Sequence, residues 1–138
     1  MADDPTLFRI LTEAKTIAVV GASKNPEKDA HRIPKYLQEH GYRIIPVNPT
    51  ADVILGERAY PSLSEVREPY DVVDIFRPSE DVPPIVEEAI RGPAKVIWMQ
   101  QGIRNEVAAW KAEAAGKIVV QDACMMVAHR SLVAGPRS

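Results

Sequence analysis

Residues Thr16-Ile17-Ala18-Val19-Val20 form a short apolar run that ends abruptly at Gly21 and a polar loop. Successive side chains of a strand point to opposite faces, so a strand apolar at nearly every position is buried on both. Burial on both faces requires helices above and below, and therefore a chain that crosses repeatedly from strand to strand. The same short runs recur at residues 43–47, 71–76, 95–99 and 117–120, with a weaker third strand within residues 54–60. Amphipathic stretches alternate with them. An opening helix is predicted over residues 6–14, capped by Thr6 or Asp4. A second runs from about residue 29 to His40, where Gly41 supplies the stop. Ser62 is expected to cap a short helix through Val66, with Glu65 in the capping-box position. Two more are predicted over residues 82–91, with prolines in the first turn, and about 105–115, ended by Gly116. Pro46 argues for a short or irregular second strand, and the tail from Ala134 onward is expected to fray.

Six strands alternating with helices predict an α/β, doubly wound, mainly parallel sheet of Rossmann-like type, a single three-layer domain over residues 1–138 with its core at about 16–132. The expected strand order is 3-2-1-4-5-6. In that topology a crevice opens between the carboxyl ends of the first and fourth strands, where the chain departs in opposite directions. Its mouth is then lined by Gly21-Ala22-Ser23, Asn48-Pro49, Arg77-Pro78 and Gln100-Gln101-Gly102.

Composition narrows the function classes. The 17 basic and 19 acidic residues give a net charge of −2, which argues against a general nucleic-acid-binding surface. No apolar run reaches the roughly 20 residues of a membrane span, and the acidic N-terminus has no signal-peptide pattern. A single cysteine, Cys124, fits a reducing compartment. A cytoplasmic protein with neither nucleic acid nor membrane as partner is expected. The three histidines, His31, His40 and His129, are widely spaced, with no metal-binding motif.

Nicotinamide binding is tested by two positions. A dinucleotide turn reads G-x-G-x-x-G, whereas Gly21 is the only glycine in Gly21-Ala-Ser-Lys-Asn-Pro-Glu-Lys-Asp-Ala-His-Arg32. An acidic residue should end the second strand to hold the ribose, and here Asn48 follows Val47. Both departures disfavour NAD, and no arginine cluster points to NADP.

Several ordered motifs carry a resemblance: Ile17-Ala-Val-Val-Gly-Ala-Ser23, Tyr36-Leu37, His40-Gly41-Tyr42, Ile45-Pro-Val-Asn-Pro49 and Ile54-Leu55-Gly56. Tyr60-Pro-Ser-Leu63, Asp71-Val-Val-Asp74, Trp98, Gln101-Gly102, Asn105-Glu106 and residues 122–129 continue it in the same order. Over residues 16–132 the chain resembles the stand-alone CoA-binding proteins. These are similar in turn to the N-terminal domain of the succinyl-CoA synthetase α subunit and to NDP-forming acyl-CoA synthetases. The resemblance implies coenzyme A as ligand. By position it implicates Gly21, Ala22, Ser23 and Lys24, then Pro46, Val47, Asn48 and Pro49, then Met99, Gln100, Gln101 and Gly102, with Arg77 and Pro78 bordering the crevice. The glycine-rich first loop of the synthetase subunit is not matched here, and its phosphorylated histidine lies in a domain outside this match. CoA carries a pyrophosphate and a 3′-phosphate, so Lys24, Lys28, His31 and Arg32 around the second helix start are candidate anchors.

The resulting expectation is a CoA or acyl-CoA binder with no evident catalytic centre, acting as carrier, sensor or partner subunit. A protein partner or homo-oligomer is left open. The alternatives are an NAD(P)-dependent oxidoreductase module and an acyl-transfer enzyme using Cys124, flanked by Asp122 and His129. Free cysteine is commonly a small buried hydrophobe, and Cys124 with Met125-Met126 is expected to fill space at the sheet's carboxyl edge. Trp98 and Trp110 are expected to pack inside, Trp110 at helical spacing with Val107 and Ala114.

Overall fold

The computed structural model describes residues 2–134. The apolar runs form strands β1 (Thr16–Val20), β2 (Arg43–Val47), β5 (Val72–Ile75), β6 (Val96–Met99) and β7 (Ile118–Val120). They make one parallel sheet in the order β2-β1-β5-β6-β7. Helices α1 (Asp4–Glu13), α2 (Asp29–Glu39), α3 (Val82–Arg91), α4 (Glu106–Ala114) and α5 (Met125–Leu132) cover it. On one face Val82, Val86 and Ala89 of α3 and Ala108, Ala109 and Ala112 of α4 meet Ala18, Ile45, Val73 and Ile97. On the other, α1, α2 and α5 contribute Ile10, Leu11, Ile33, Leu37 and Met125 to a cluster with Ile17, Val19 and Trp98. The architecture is the expected three-layer Rossmann-like α/β fold. Each fully buried Ile or Val contributes about 1.5–3 kcal/mol.

Several expectations need correction. The third strand does not extend the sheet. Residues 53–58 fold back instead as a hairpin of β3 (Val53–Ile54) and β4 (Glu57–Arg58). Its two-residue turn, Leu55-Gly56, has positive φ at both positions (55° and 76°), as a primed hairpin turn demands. Beyond the hairpin, Tyr60 joins β2 by a single parallel bridge to Val47. Pro46 does not shorten β2, because that strand is at the edge of the sheet and loses no central ladder bond there. The first helix begins earlier than expected, with Asp3 as its cap, accepting from the Thr6 amide at 3.0 Å. The helix after Ser62 is a 3-10 turn over Leu63–Glu65 with no cap bond from Ser62 to the backbone. Ser62 Oγ instead faces the Glu65 carboxylate at 3.5 Å. Helix α5 lacks a side-chain cap signal and was not expected at all. The frayed-tail expectation falls on residues 135–138, outside those described, apart from Ala134.

Trp98 is fully buried as expected, but Trp110 is 68% exposed and Val107 67%. Helix α4 packs through its alanines, which allow a close approach to the sheet and turn both large side chains outward. Among the described residues, no helix is long and apolar enough to cross a membrane.

Candidate functional site at the carboxyl edge of the sheet

Strand β1 has β2 on one side and β5 on the other. The chain therefore leaves the sheet in opposite directions from β1 and β5, and their carboxyl ends form the switch point. Gly21 stands there with φ +90°, and a Cβ added to it would lie 2.9 Å from the Phe76 carbonyl oxygen and 3.0 Å from Arg77 Cδ. Only glycine permits both the backbone conformation and this approach of β1 to β5. The Gly21 amide donates to the Val47 carbonyl at 3.0 Å, joining the ends of β1 and β2.

The loop after β1 is held by side chains. Ser23 Oγ accepts from the Asn25 amide and Asn25 Oδ1 from the Glu27 amide, each at 3.0 Å. These local turns do the work that glycines perform in a dinucleotide loop. Pro34, inside α2, cannot donate to the Ala30 carbonyl four residues back. The Ser23 amide takes that carbonyl instead, at 3.1 Å, and His31 Nδ1 lies 2.8 Å from the Ser23 carbonyl. A proline that would weaken an isolated helix thus anchors the loop to α2.

Asn48 closes the β2 side. Its amide donates to the Ala22 carbonyl at 2.8 Å, while its Oδ1 accepts from the Thr50 amide, the Thr50 hydroxyl and the Ala51 amide. The residue that replaces the nicotinamide-family acid is a clasp between two loops. On the β6 side, Gln100 is buried and its Oε1 accepts from the Met125 amide at 3.0 Å, capping α5. Trp98 Nε1 donates to the Ala123 carbonyl at 2.8 Å. At the far end, the Tyr36 hydroxyl lies 2.9 Å from His129 Nδ1, fixing α5 to α2. Helix α5 is thus a product of tertiary bonds.

These elements enclose a slot of about 230 Å³ lined by Arg32, Ile33, Phe76, Gln100, Gln101, Ile103, Cys124, Met126, Val127 and Asp29. Of the residues expected at the site, Gly21, Ala22, Ser23, Asn48 and Arg77 gather around the switch point. Arg32, Gln100 and Gln101 line the slot itself. Ala22, Pro46, Val47 and Met99 are buried and have only backbone to offer. Lys24, Lys28, Pro78 and Gly102 are exposed around the rim. Asn48 and Pro49 border a second cleft of about 380 Å³ with Thr50, Ala51, Asp52, Arg58, Ala59 and Pro61. A cavity of about 440 Å³ also opens at the opposite edge of the sheet, among Arg9, Glu13, Asp71 and Lys95. Loops that diverge at a switch point make the carboxyl edge the stronger candidate despite its smaller slot.

Sequence reasoning missed Phe76, Ile33, Ile103 and Val127 as lining residues. Phe76 and Ile33 belong to elements it had found and Ile103 to the loop after β6, but only the packing of α5 brings them together with Val127. Cys124 does line the slot, with Met126, as its expected place at the carboxyl edge implied. His129 does not serve as its base by placement. Five residues along a helix separate directions by about 140°, and the His129 ring is buried against Tyr36, His40 and Tyr42. Burial, and secondarily the nearby His40, push the His129 pKa down.

The electrostatics of the loop are mixed. Lys24, Lys28 and Arg32 are interspersed in sequence with Glu27 and Asp29, and Arg32 is ion-paired with Asp29. Arg77 pairs with Asp81 at 2.8 Å. Both arginines are about half exposed, so these pairs hold weakly and can yield to a more highly charged ligand.

Three proteins similar to this chain place it among known ones. Uncharacterized protein YneT of Bacillus subtilis is 46% identical over 120 residues, covering 87% of this chain and 89% of that protein. Acetate–CoA ligase [ADP-forming] II of Archaeoglobus fulgidus is 34% identical over 102 residues. That match spans 72% of this chain and only 15% of the ligase. The structure of a hypothetical protein from Pyrococcus horikoshii OT3 superposes with a TM-score of 0.92 at 43% identity, covering 96% of this chain and 93% of the other. Residues 15–130 match the model of the CoA binding domain. The chain belongs to the CoA binding domain family.

Proposed function

We propose that this protein binds coenzyme A, or an acyl-CoA, in the slot at the carboxyl edge of the sheet. The observation that carries the reading is a family match spanning residues 15–130 whose switch point holds a slot of suitable chemistry. A pantetheine arm alternates amides with methylenes. The slot sets Gln100 and Gln101 among Ile33, Phe76, Ile103 and Met126, which suits both. Phosphates need cations and free amides, and Arg32, Lys28 and Lys24 surround the start of α2. The cleft beside Asn48 and Pro49 is the place for the nucleotide base. When bound, CoA would supply a thiol for acyl carriage, and the chain's own residues orient it. Asp29 opposes binding, because a phosphate must displace it from Arg32.

Calorimetric titration of ligand-stripped protein with CoA, dephospho-CoA, NAD and NADP tests this. Binding of CoA is expected, with Arg32→Ala weakening it about 10-fold and Asp29→Asn strengthening it by a smaller factor. Tight NAD binding with none for CoA would overturn the reading. An acyl-transfer role through Cys124 predicts instead that Cys124→Ala abolishes turnover while CoA affinity is kept.

A further inference from the structure

Helix α4 is apolar on two faces. Its inner face is Ala108, Ala109 and Ala112 against the sheet and α3, and its outer face carries Val107 and Trp110, each about two-thirds exposed. A surface helix normally turns a polar face to water, and this one sets two large apolar side chains among its exposed charges. Beside Trp110 a groove of about 340 Å³ runs between α4 and β7, with Val119 and Gln121 on its far wall. Strand β7 is the last of the sheet, with no strand beyond it among the described residues. This surface lies apart from the proposed CoA slot, and no residue lines both.

We infer that α4 is the contact helix of a symmetric dimer, in which a second copy packs antiparallel across it. The charge pattern selects the occupant. Arg104, Glu106, Lys111 and Glu113 flank the apolar pair. An axis of two-fold symmetry passing between Ala108 and Ala109 sets Val107 opposite Trp110 of the second copy. The same operation sets Glu106 opposite Lys111 of the second copy, and brings Arg104, in the loop just before the helix, to the end that carries Glu113 of the second copy. Every charge meets its opposite, and by symmetry each pair occurs twice. A partner of another sequence has no reason to match this self-complementary order. The present partners are replaceable, since Arg104 pairs with Glu106 at 2.8 Å and Lys111 with Glu87 at 3.5 Å, all at exposed positions. Trp110 is the central anchor, of the residue type that most often dominates interfaces.

Sedimentation velocity of the full chain from about 5 to about 500 μM covers the range in which a contact below standard interface size titrates. The expected result is a rise from 15.3 kDa to a plateau at twice that mass. Trp110→Ser should weaken association at least about 10-fold. Glu106→Lys and Lys111→Glu should each do the same, and the double variant carrying both should restore it. Circular dichroism and CoA titration are expected to be unchanged in all four, which separates lost association from lost folding. A monomer at every concentration would overturn the inference, as would growth past the dimer. Failure of the double variant to rescue would overturn it equally.

Discussion

The two faces of the sheet are built differently. The face under α3 and α4 is closed by aliphatic side chains, with Tyr70 as its one aromatic residue in the buried cluster. The face under α1, α2 and α5 contains Trp98, Tyr42 and the buried polar groups Gln100, His129 and Asp74. Asp74 belongs to that face by strand alternation: Val73 and Ile75 point to the first cluster, Val72 to the second, and the register partners Val19 and Trp98 lie in the second. Neither Asp74 oxygen has a hydrogen-bond partner among the described residues. Burial alone drives its carboxyl far toward the neutral form. A face that serves only packing can be dry, whereas the face that builds the slot carries polar groups, and their desolvation costs stability.

The largest test of this contrast is Trp98→Ala. It removes a fully buried ring and leaves the Ala123 carbonyl without its donor, so a loss of about 3–5 kcal/mol is expected in urea unfolding. Val73→Ala on the dry face removes only two methyl groups and should cost roughly half as much or less. Equal losses would break the comparison.

Next in size is Asp74→Val, which exchanges an unpartnered carboxyl for an apolar group that fits the surrounding cluster. A gain of about 1–3 kcal/mol at pH 8 is expected. The sign follows from linkage. A carboxyl whose folded pKa is raised leaves the native state fully stable below the unfolded value of about 3.9, and stability falls as pH rises toward the folded pKa. The advantage of the variant should therefore grow from pH 4 upward, and a pH-independent difference would show that Asp74 is not neutral in the fold.

The smallest effect belongs to Tyr36→Phe, which deletes the hydroxyl bonded to His129 and should cost about 0.5–1.5 kcal/mol. Because the His129 pKa is depressed, the native contribution is present above the unfolded value near 6.5 and is lost as pH falls through the folded one. His129→Phe is expected to flatten that acid limb in a series of thermal melts. An unchanged limb would assign the acid sensitivity elsewhere.

Much of this protein could be read from local pattern. Apolar runs identified five sheet strands, and Gly41 and Gly116 stopped helices where their positive φ allows it, at 98° and 89°. Gly21 was recognised as the end of β1, and the crevice followed from the doubly wound order. These features are legible because periodicity, propensity and turn chemistry act within a few residues. The CoA assignment is of another kind, since it came from motif resemblance and not from periodicity.

Tertiary structure decided the rest. Helix α5 exists because Gln100 caps it and Tyr36 holds its other end, residues far from it in sequence. Asn48 reads as a ligand contact in sequence, and only in space does its side chain prove also to clasp two loops together. Trp110 reads as core because it is apolar, yet the inward direction of α4 was taken by small alanines that fit closer to the sheet. The strands and their polar loops were determined by the sequence within short windows. Which side chains line the slot, and which are left facing water, depended on how distant segments share limited interior volume.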